Sequence, residues 1–301
     1  MTTFYNRMPR VDYVKPKSFV EAIAFLAEGN DGCRAYAGGT DVIPKLKNRI
    51  LDPQGRFAVL PKTLVDLKGI IDADYIHYDP QNGLKIGALT SIRSVAKSSI
   101  VKEKYPMLSH AAGSIASIQV QNRGTIAGNI CNAAPSADSA PSLLCLSAHL
   151  LCIGKSGERL IEIDDFFTGP GQTTLAADEL VKEIQIPALP ENGHGVYIKL
   201  SLRKKMDCAI AGAAALVVME DGRFKDVKIG LGAVAATPMR AKKAEAALIG
   251  QAPATELIKK VADTAAAESS PITDHRASAE YRKMVVAVLV ERTINQSLAG
   301  L

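Results

Sequence analysis

The sequence predicts an α+β protein of two domains, and three observations support this. The chain has 301 residues, whereas one domain usually takes about 100–200. Residues 187–195 are dense in Pro, Gly and Asn, which indicates a boundary between domains. After this stretch, three strand patterns precede three helical patterns, the order expected for an antiparallel sheet covered by helices. We therefore expect domains over 1–190 and 191–301, with subdomains of the first over about 1–60 and 61–190.

The beginning of the chain alternates helix and strand signals. Ser18 and Glu21 form a capping box, which marks the start of an amphipathic helix. Thr40 follows a glycine turn and is positioned to cap a second helix. The predicted elements are a helix over 18–29, a strand over 34–37 and a helix over 41–49.

The rest of the first domain combines hairpins with short helices. The turn residues of 79–83 lie between two strand patterns and predict a hairpin, and Ser91 is positioned to cap the next helix. The predicted strands are 63–67, 75–78, 84–89, 149–153, 159–163 and 183–186, and the predicted helices are 91–98, 106–116 and 139–146.

The second domain reads as strands followed by helices. Asp221-Gly222 separates two strand patterns and is a strong hairpin signal. The predicted strands are 196–202, 209–219 and 225–234, and the predicted helices are 240–249, 254–268 and 279–298.

Composition excludes several classes of protein. The net charge is only +5, the basic residues are scattered and there is no Trp, which argues against a nucleic-acid binder. The first residues lack the apolar run of a signal peptide, and the apolar runs are too short to span a bilayer, so we expect a cytoplasmic protein. No two of the five cysteines have Cys-x-x-Cys spacing, so we expect no zinc or iron–sulfur site in this chain.

Two glycine-rich turns, over 37–41 and 125–129, are the most informative features of the sequence. Glycine permits positive φ and close approach of a ligand to the main chain. Successive backbone N–H groups in such turns form a concavity that binds anions. Two of them predict a long ligand with a charged middle, such as a dinucleotide. The sequence has neither Gly-x-Gly-x-x-Gly nor a P-loop.

The two turns and their flanking phrases resemble the FAD-binding medium subunits of molybdenum hydroxylases, the family of xanthine dehydrogenases and carbon monoxide dehydrogenases. The matching phrases are Tyr36-Ala37-Gly38-Gly39-Thr40-Asp41-Val42, Asn122-Arg123-Gly124-Thr125-Ile126-Ala127-Gly128-Asn129-Ile130 and Ala134-Pro135-Ser136-Ala137-Asp138-Ser139-Ala140-Pro141. The resemblance covers nearly the whole chain. It implies a two-part FAD-binding domain of the p-cresol methylhydroxylase type, followed by a C-terminal domain of antiparallel sheet plus helices.

The resemblance also implies a set of FAD-binding residues. Its first group wraps the FAD pyrophosphate and comprises Ala35, Tyr36, Ala37, Gly38, Gly39, Thr40, Asp41 and Val42. Its second group contacts the phosphate, ribityl chain, ribose, adenine or flavin ring and comprises Ile115, Thr125, Gly128, Asn129, Asn132, Asp138, Leu180 and Lys199. Within it, Asp138 is expected to hold the adenosine ribose, and Lys199 to place a cation toward the flavin. The resemblance implies no catalytic side chain and no metal ligand in this chain.

The function implied is that of the FAD-carrying electron-transfer subunit of a molybdenum hydroxylase. A large molybdopterin subunit and a small [2Fe–2S] subunit are the implied partners, in a dimer of heterotrimers. The acceptor is NAD, a quinone, ferredoxin or oxygen.

Two alternatives stay open from the sequence. One is a self-contained flavin reductase that is similar to UDP-N-acetylenolpyruvoylglucosamine reductase. The other is an assembly subunit without flavin. The chain departs from the family at Ala127, where many relatives have Gly, and at Gln121, where Arg is common.

Overall fold

A computed structural model describes residues 9–29, 32–48 and 61–301 of the chain. It has the mixed α+β architecture that the sequence predicts, with a two-part N-terminal domain and a C-terminal domain. None of the described helices combines the length and the apolar character needed to cross a membrane.

A small parallel sheet forms the first lobe. Its strands are β1 (Asp12–Val14), β2 (Cys33–Tyr36) and β3 (Thr63–Asp66), with β3 in the middle. The helices are α1 (Phe19–Gly29) and α2 (Val42–Asn48); the predicted end of α2 at Arg49 lies outside the described residues. Ser18 Oγ accepts from the Glu21 amide at 3.2 Å, which confirms the predicted cap of α1.

The limit expected near residue 60 separates β3 from both strands with which it pairs. The parallel sheet therefore draws strands from both expected subdomains. This pairing could not be read from the sequence because it joins segments about thirty to fifty residues apart, such as Ala35 with Val65 and Val14 with Val65.

The second lobe is a five-stranded antiparallel sheet with helices on it. The strands are β4 (Ile76–Asp79), β5 (Gly83–Gly87), β6 (His149–Gly154), β7 (Gly157–Glu162) and β10 (Leu180–Ile186), in the order β4-β5-β10-β6-β7. A separate two-stranded ladder joins β8 (Phe167–Gly169) and β9 (Gln172–Thr173). The helices are α3 (Ile92–Lys97), α4 (Ser99–Lys104), α5 (Pro106–Ser114), α6 (Ile118–Gln121), α7 (Ile126–Cys131) and α8 (Ser139–Cys145).

Short helices are where the sequence-based prediction was incomplete. The second glycine turn is itself helical, because Thr125 caps α7 and its side chain accepts from the Gly128 amide. The helix predicted over 106–116 ends at Ser114, since Ala116 takes a left-handed φ of 44°. Ser91 caps α3 as predicted.

The C-terminal domain is a four-stranded antiparallel sheet with three helices. Its strands are β11 (Gly193–Leu200), β12 (Ala211–Glu220), β13 (Arg223–Gly232) and β14 (Met239–Arg240), paired in that order. The helices are α9 (Lys242–Leu248), α10 (Thr255–Glu268) and α11 (Ala279–Ala299). β11 begins inside the stretch that the sequence marks as a boundary, so the glycines there belong to a strand.

The two domains pack closely because glycines remove side chains at their contact. A Cβ at Gly230 of β13 would overlap the carbonyl group of Pro141 in α8, and one at Gly195 of β11 would lie 3.0 Å from Cε of Met107 in α5. One apolar core runs from the second lobe to the facing side of the C-terminal sheet, and it includes Tyr197 of β11.

Arg282 of α11 is buried in the C-terminal domain and hydrogen-bonds to several of its segments. Its side chain is 4% exposed and donates to the carbonyls of Ile210 and Ala233 and to Asp274 Oδ1, at 2.7–2.9 Å. Burial would raise the pKa of Asp274, but hydrogen bonds from Arg276 and Arg282 outweigh it and bring that pKa below its ordinary value. The cluster therefore ties three separate segments to one guanidinium.

We expect Arg282→Met to lower the free energy of unfolding by about 3–5 kcal/mol, the range for loss of one partner of a buried pair. Urea denaturation followed by circular dichroism measures the change. Lys283→Met is the matched control, because Lys283 is exposed on the same helix. Equal stability of the two variants would contradict this role of Arg282.

The stabilisation by Asp274 is complete above its unfolded pKa of about 3.9 and is lost as pH falls toward the lower folded value.

Candidate functional site

The first glycine turn connects β2 to α2 in the parallel lobe. Ala35 and Tyr36 end the strand, residues 37–41 form the turn and Val42 begins the helix. Gly39 has φ +74°, a conformation that side chains disfavour, and a Cβ there would overlap the ring of Tyr36. The sequence needs glycine at this position both for the backbone angle and for the space.

The turn presents a row of backbone donors. Within the described part of the chain, the amides of Gly38, Gly39, Thr40 and Asp41 have no hydrogen-bond acceptor. Four successive free N–H groups in a glycine turn suit an oxygen-rich anion such as a diphosphate. The turn therefore fits the pyrophosphate of a dinucleotide.

The second turn lies directly against the first. A Cβ at Gly38 would overlap the carbonyl group of Arg123 and approach the Cα atom of Gly124, and one at Gly124 would lie 3.2 Å from Thr40 Oγ1. Lys45 of α2 also donates to Asn132 Oδ1, after α7, at 2.5 Å. The structure thus brings together two turns that lie some ninety residues apart.

Internal hydrogen bonds fix the second turn. Thr125 Oγ1 accepts from the Gly128 amide at 2.9 Å, and a Cβ at Gly128 would lie 2.8 Å from the same oxygen. Asn129 Oδ1 accepts from the hydroxyl of Ser139, the first residue of α8, at 2.7 Å. These bonds hold α7 against the start of α8, beside Asp138.

Asp138 and Lys199 form a buried ion pair across the two domains. Lys199 Nζ lies 2.7 Å from Asp138 Oδ2, and the hydroxyl of Tyr197 donates to Oδ1 at 2.8 Å. Burial raises the pKa of Asp138, although both partners oppose the rise; burial and the nearby carboxylate raise the pKa of Tyr197. The cation that the sequence predicts at Lys199 is therefore paired with a buried carboxylate.

Lys199 also reaches the C-terminal end of α5. Its ammonium group donates to the Asp207 carbonyl at 2.8 Å and to the Ser114 carbonyl at 3.4 Å. The next residue, Ile115, is buried in the main core, and its carbonyl accepts from the side chain of Gln121 at 2.8 Å. Ile115 is thus linked through the end of α5 to the same cluster as Asp138 and Lys199.

Leu180 lies apart from these polar contacts. It begins β10 and belongs to the apolar core under α1, with Ile23, Leu26 and Val65. Because Leu180 is 5% exposed, its side chain serves chiefly as packing for the first lobe.

The sequence analysis did not predict three residues of the site, although a feature of the sequence places each of them near it. Tyr197 is two residues before Lys199 on one strand, so both point to the same face. Lys68 follows β3, whose carboxyl end meets the glycine turn at the same edge of the parallel sheet. Gln121 stands where relatives often have Arg, and it donates to the carbonyls of Gly113 and Ile115.

Metal ligands do not cluster in the part of the chain that the structure describes: no three His, Cys, Asp or Glu side chains there converge on one point. Cys131, near Asn129, has its pKa raised to about 12 by burial, so its thiol is neutral at physiological pH.

Comparison with known proteins finds matches along nearly the whole chain. Residues 9–189 match the family described as FAD binding domain in molybdopterin dehydrogenase, and residues 196–297 match the CO dehydrogenase flavoprotein C-terminal domain. The glyceraldehyde dehydrogenase medium chain of Sulfolobus acidocaldarius is 35% identical, over 96% of this chain and 98% of that protein. The carbon monoxide dehydrogenase medium chain of Hydrogenophaga pseudoflava is 32% identical, over 97% and 98%.

A solved structure has the same fold. It is the carbon monoxide dehydrogenase from Hydrogenophaga pseudoflava that lacks the Mo-pyranopterin moiety of the molybdenum cofactor, and one of its chains superposes with a TM-score of 0.91 at 33% identity, covering 97% of this chain and 99% of that one. These matches, to which the two touching glycine turns conform, lead to one conclusion: the chain belongs to the family of FAD-binding medium subunits of molybdenum hydroxylases.

Proposed function

We propose that this chain holds FAD on its two touching glycine turns and passes electrons between the [2Fe–2S] clusters of a partner subunit and an external acceptor or donor. The observation that carries the proposal is the row of amides at 38–41, which have no acceptor among the described residues and lie against the second turn inside an FAD-binding domain.

Different groups of residues bind different parts of FAD in this proposal. The segment from Ala35 to Val42, which contains the first turn, binds the pyrophosphate, and the Thr40 hydroxyl adds a donor. Thr125, Gly128, Asn129 and Asn132 bind the phosphate, ribityl and flavin region along α7. Asp138 accepts from the adenosine ribose and Ile115 borders the flavin ring. Leu180, which was expected beside the adenine, packs in the core of the first lobe and is left out of the proposed site.

FAD supplies the redox chemistry when it is bound, and the chain supplies binding, orientation and local charge. Lys199 is suited to supply the local charge because three oxygen acceptors on three segments fix its position. A fixed cation beside a carboxylate sets the local potential with little reorganisation. No side chain of this chain acts as a general acid or base in the proposal.

The relatives support a multi-subunit assembly because they are named as medium chains of dehydrogenases. We propose a large molybdopterin subunit and a small [2Fe–2S] subunit as partners, in a dimer of heterotrimers in the cytoplasm. NAD, a quinone, ferredoxin or oxygen takes or gives the electrons. We also propose domain limits at 1–190 and 191–301. The expected division of the first domain near residue 60 is not kept, because β3 pairs with two strands that lie before it.

Purification of the tagged chain from its native host tests the subunit role. We expect a larger and a smaller polypeptide to accompany it, one FAD per tagged chain, and the absorption of [2Fe–2S] clusters. A monomer that oxidises NAD(P)H with a small substrate would identify the self-contained reductase. A monomer that stays colourless after incubation with FAD would identify the flavin-free subunit.

We expect Gly38→Ala to weaken FAD binding about tenfold to hundredfold. The new methyl group overlaps the Arg123 carbonyl and forces the turns apart, and overpacking costs about 1–3 kcal/mol. Fluorescence titration of the apoprotein with FAD measures the change. Gly32→Ala is the matched control, since a Cβ there has no atom closer than 3.9 Å. Wild-type affinity in Gly38→Ala would contradict the proposed contact of FAD with this turn.

We expect Asp138→Asn to weaken FAD binding by about 1.5–3 kcal/mol, the value of a hydrogen bond to a charged group. In the wild type, affinity should fall as the carboxylate is protonated on acidification, and the fall should begin above the ordinary Asp range because burial raises the pKa of Asp138. Calorimetry across pH measures both effects, with the exposed Asp165→Asn as control. A wild-type pH profile in Asp138→Asn would remove Asp138 from the site.

A further inference from the structure

A lysine outside the expected FAD-binding set contacts the back of the first glycine turn. Lys68 Nζ donates to the Ala37 carbonyl at 2.9 Å and to Asp66 Oδ1 at 2.5 Å, and it lies 3.6 Å from the centroid of the Tyr36 ring. The Tyr36 ring in turn fills the space beside Gly39. Lys68 therefore contacts both the main chain and the aromatic ring that shape the turn.

The ion pair beneath the turn is itself anchored. Asp66 is 2% exposed at the end of β3, and the Tyr13 hydroxyl from β1 donates to its other oxygen. Burial would raise the pKa of Asp66, but the hydrogen bonds from Lys68 and Tyr13 outweigh burial and bring the pKa below its ordinary value. Asp66 is thus ionised at physiological pH and keeps the ammonium group in one place.

The geometry of the peptide group links Lys68 to the free amides. In a trans peptide the carbonyl oxygen and the following N–H point in opposite directions. Since the Ala37 carbonyl points at Lys68, the Gly38 amide points away from it. The Gly38 amide is one of the four donors that have no acceptor among the described residues. Rotation of this peptide plane would turn the oxygen toward an incoming phosphate and repel it.

We propose that Lys68 is a positioning residue that locks the Ala37–Gly38 peptide with its amide facing the ligand before FAD arrives. The inference rests on the proposed binding of FAD at this turn. Lys68 acts through the Ala37 carbonyl, and the charge of its ammonium group is already balanced by Asp66. Its contribution is preorganisation: the apoprotein spends more of its time with a binding-competent turn.

Preorganisation has a distinct kinetic signature. If a variant holds the competent turn only part of the time, the apparent Kd rises by the inverse of that fraction, and the rise comes from slower association. A direct contact with FAD would act on dissociation, and long-range attraction of the diphosphate would act on association only at low salt. These three roles can be separated in one stopped-flow experiment.

The test uses the full chain, freed of flavin, with FAD as the probe and quenching of flavin fluorescence as the signal. We expect Lys68→Met to slow association about tenfold at low salt and equally at about 1 M salt, where the Debye length is only about 3 Å, with dissociation unchanged. Lys68→Arg should restore association, because a guanidinium reaches the same carbonyl. Lys62→Met, an exposed lysine just before β3, is the matched control and should behave as wild type.

Three outcomes would overturn the proposal: unchanged association in Lys68→Met, a defect that disappears at high salt, or a defect confined to dissociation. If Lys68→Met fails to fold by circular dichroism, Lys68→Gln replaces it, since its amide ends one atom short of the carbonyl and the same slow association is expected. Failure of the wild-type apoprotein to bind FAD would instead count against the proposed function.

Discussion

The close approach of two backbone segments is the constraint on which the site depends. Gly38 lies against the Arg123 carbonyl and the Gly124 Cα atom, with no room for a Cβ. One segment follows a parallel strand of the first lobe, and the other precedes α7 of the second lobe. A ligand that spans both turns therefore binds both lobes at once, so loss of either glycine affects the site and the lobe contact together.

The site also depends on the C-terminal domain. Asp138 begins α8, whereas its partners Tyr197 and Lys199 come from β11. Taking a carboxylate and an ammonium out of water is costly, and the pair repays that cost only when each member is present and well oriented. Because the two partners come from different domains, association of the domains and completion of the site are one event. The contact of Gly230 in β13 with Pro141 allows the two domains to approach closely enough for this ion pair to form.

Local patterns in the sequence were sufficient for much of this structure, and long-range contacts were not. The caps at Ser18 and Ser91, the hairpins and both glycine turns follow from residues within a few positions of each other. The Lys68–Ala37 contact joins residues 31 positions apart and depends on a parallel pairing that no short motif encodes. The sequence predicts Thr125 as a ligand contact but not as the cap of α7 that its oxygen also forms, because a cap and a phosphate contact require the same residue type.

The distribution of charge in the site suits a redox cofactor. Lys68 and Lys199 both lie beside the expected ligand positions, yet each is paired with a buried carboxylate, Asp66 or Asp138. In the proposed binding mode the diphosphate contacts main-chain N–H groups, which carry no net charge and cannot titrate. A cofactor whose charge changes as it gains and loses electrons would alter the pKa of a free lysine beside it, and with it the protonation of the site. Fixed amide dipoles avoid that coupling at the diphosphate itself, whereas Lys45, whose ammonium group donates to the uncharged Asn132, is a titratable neighbour of the site.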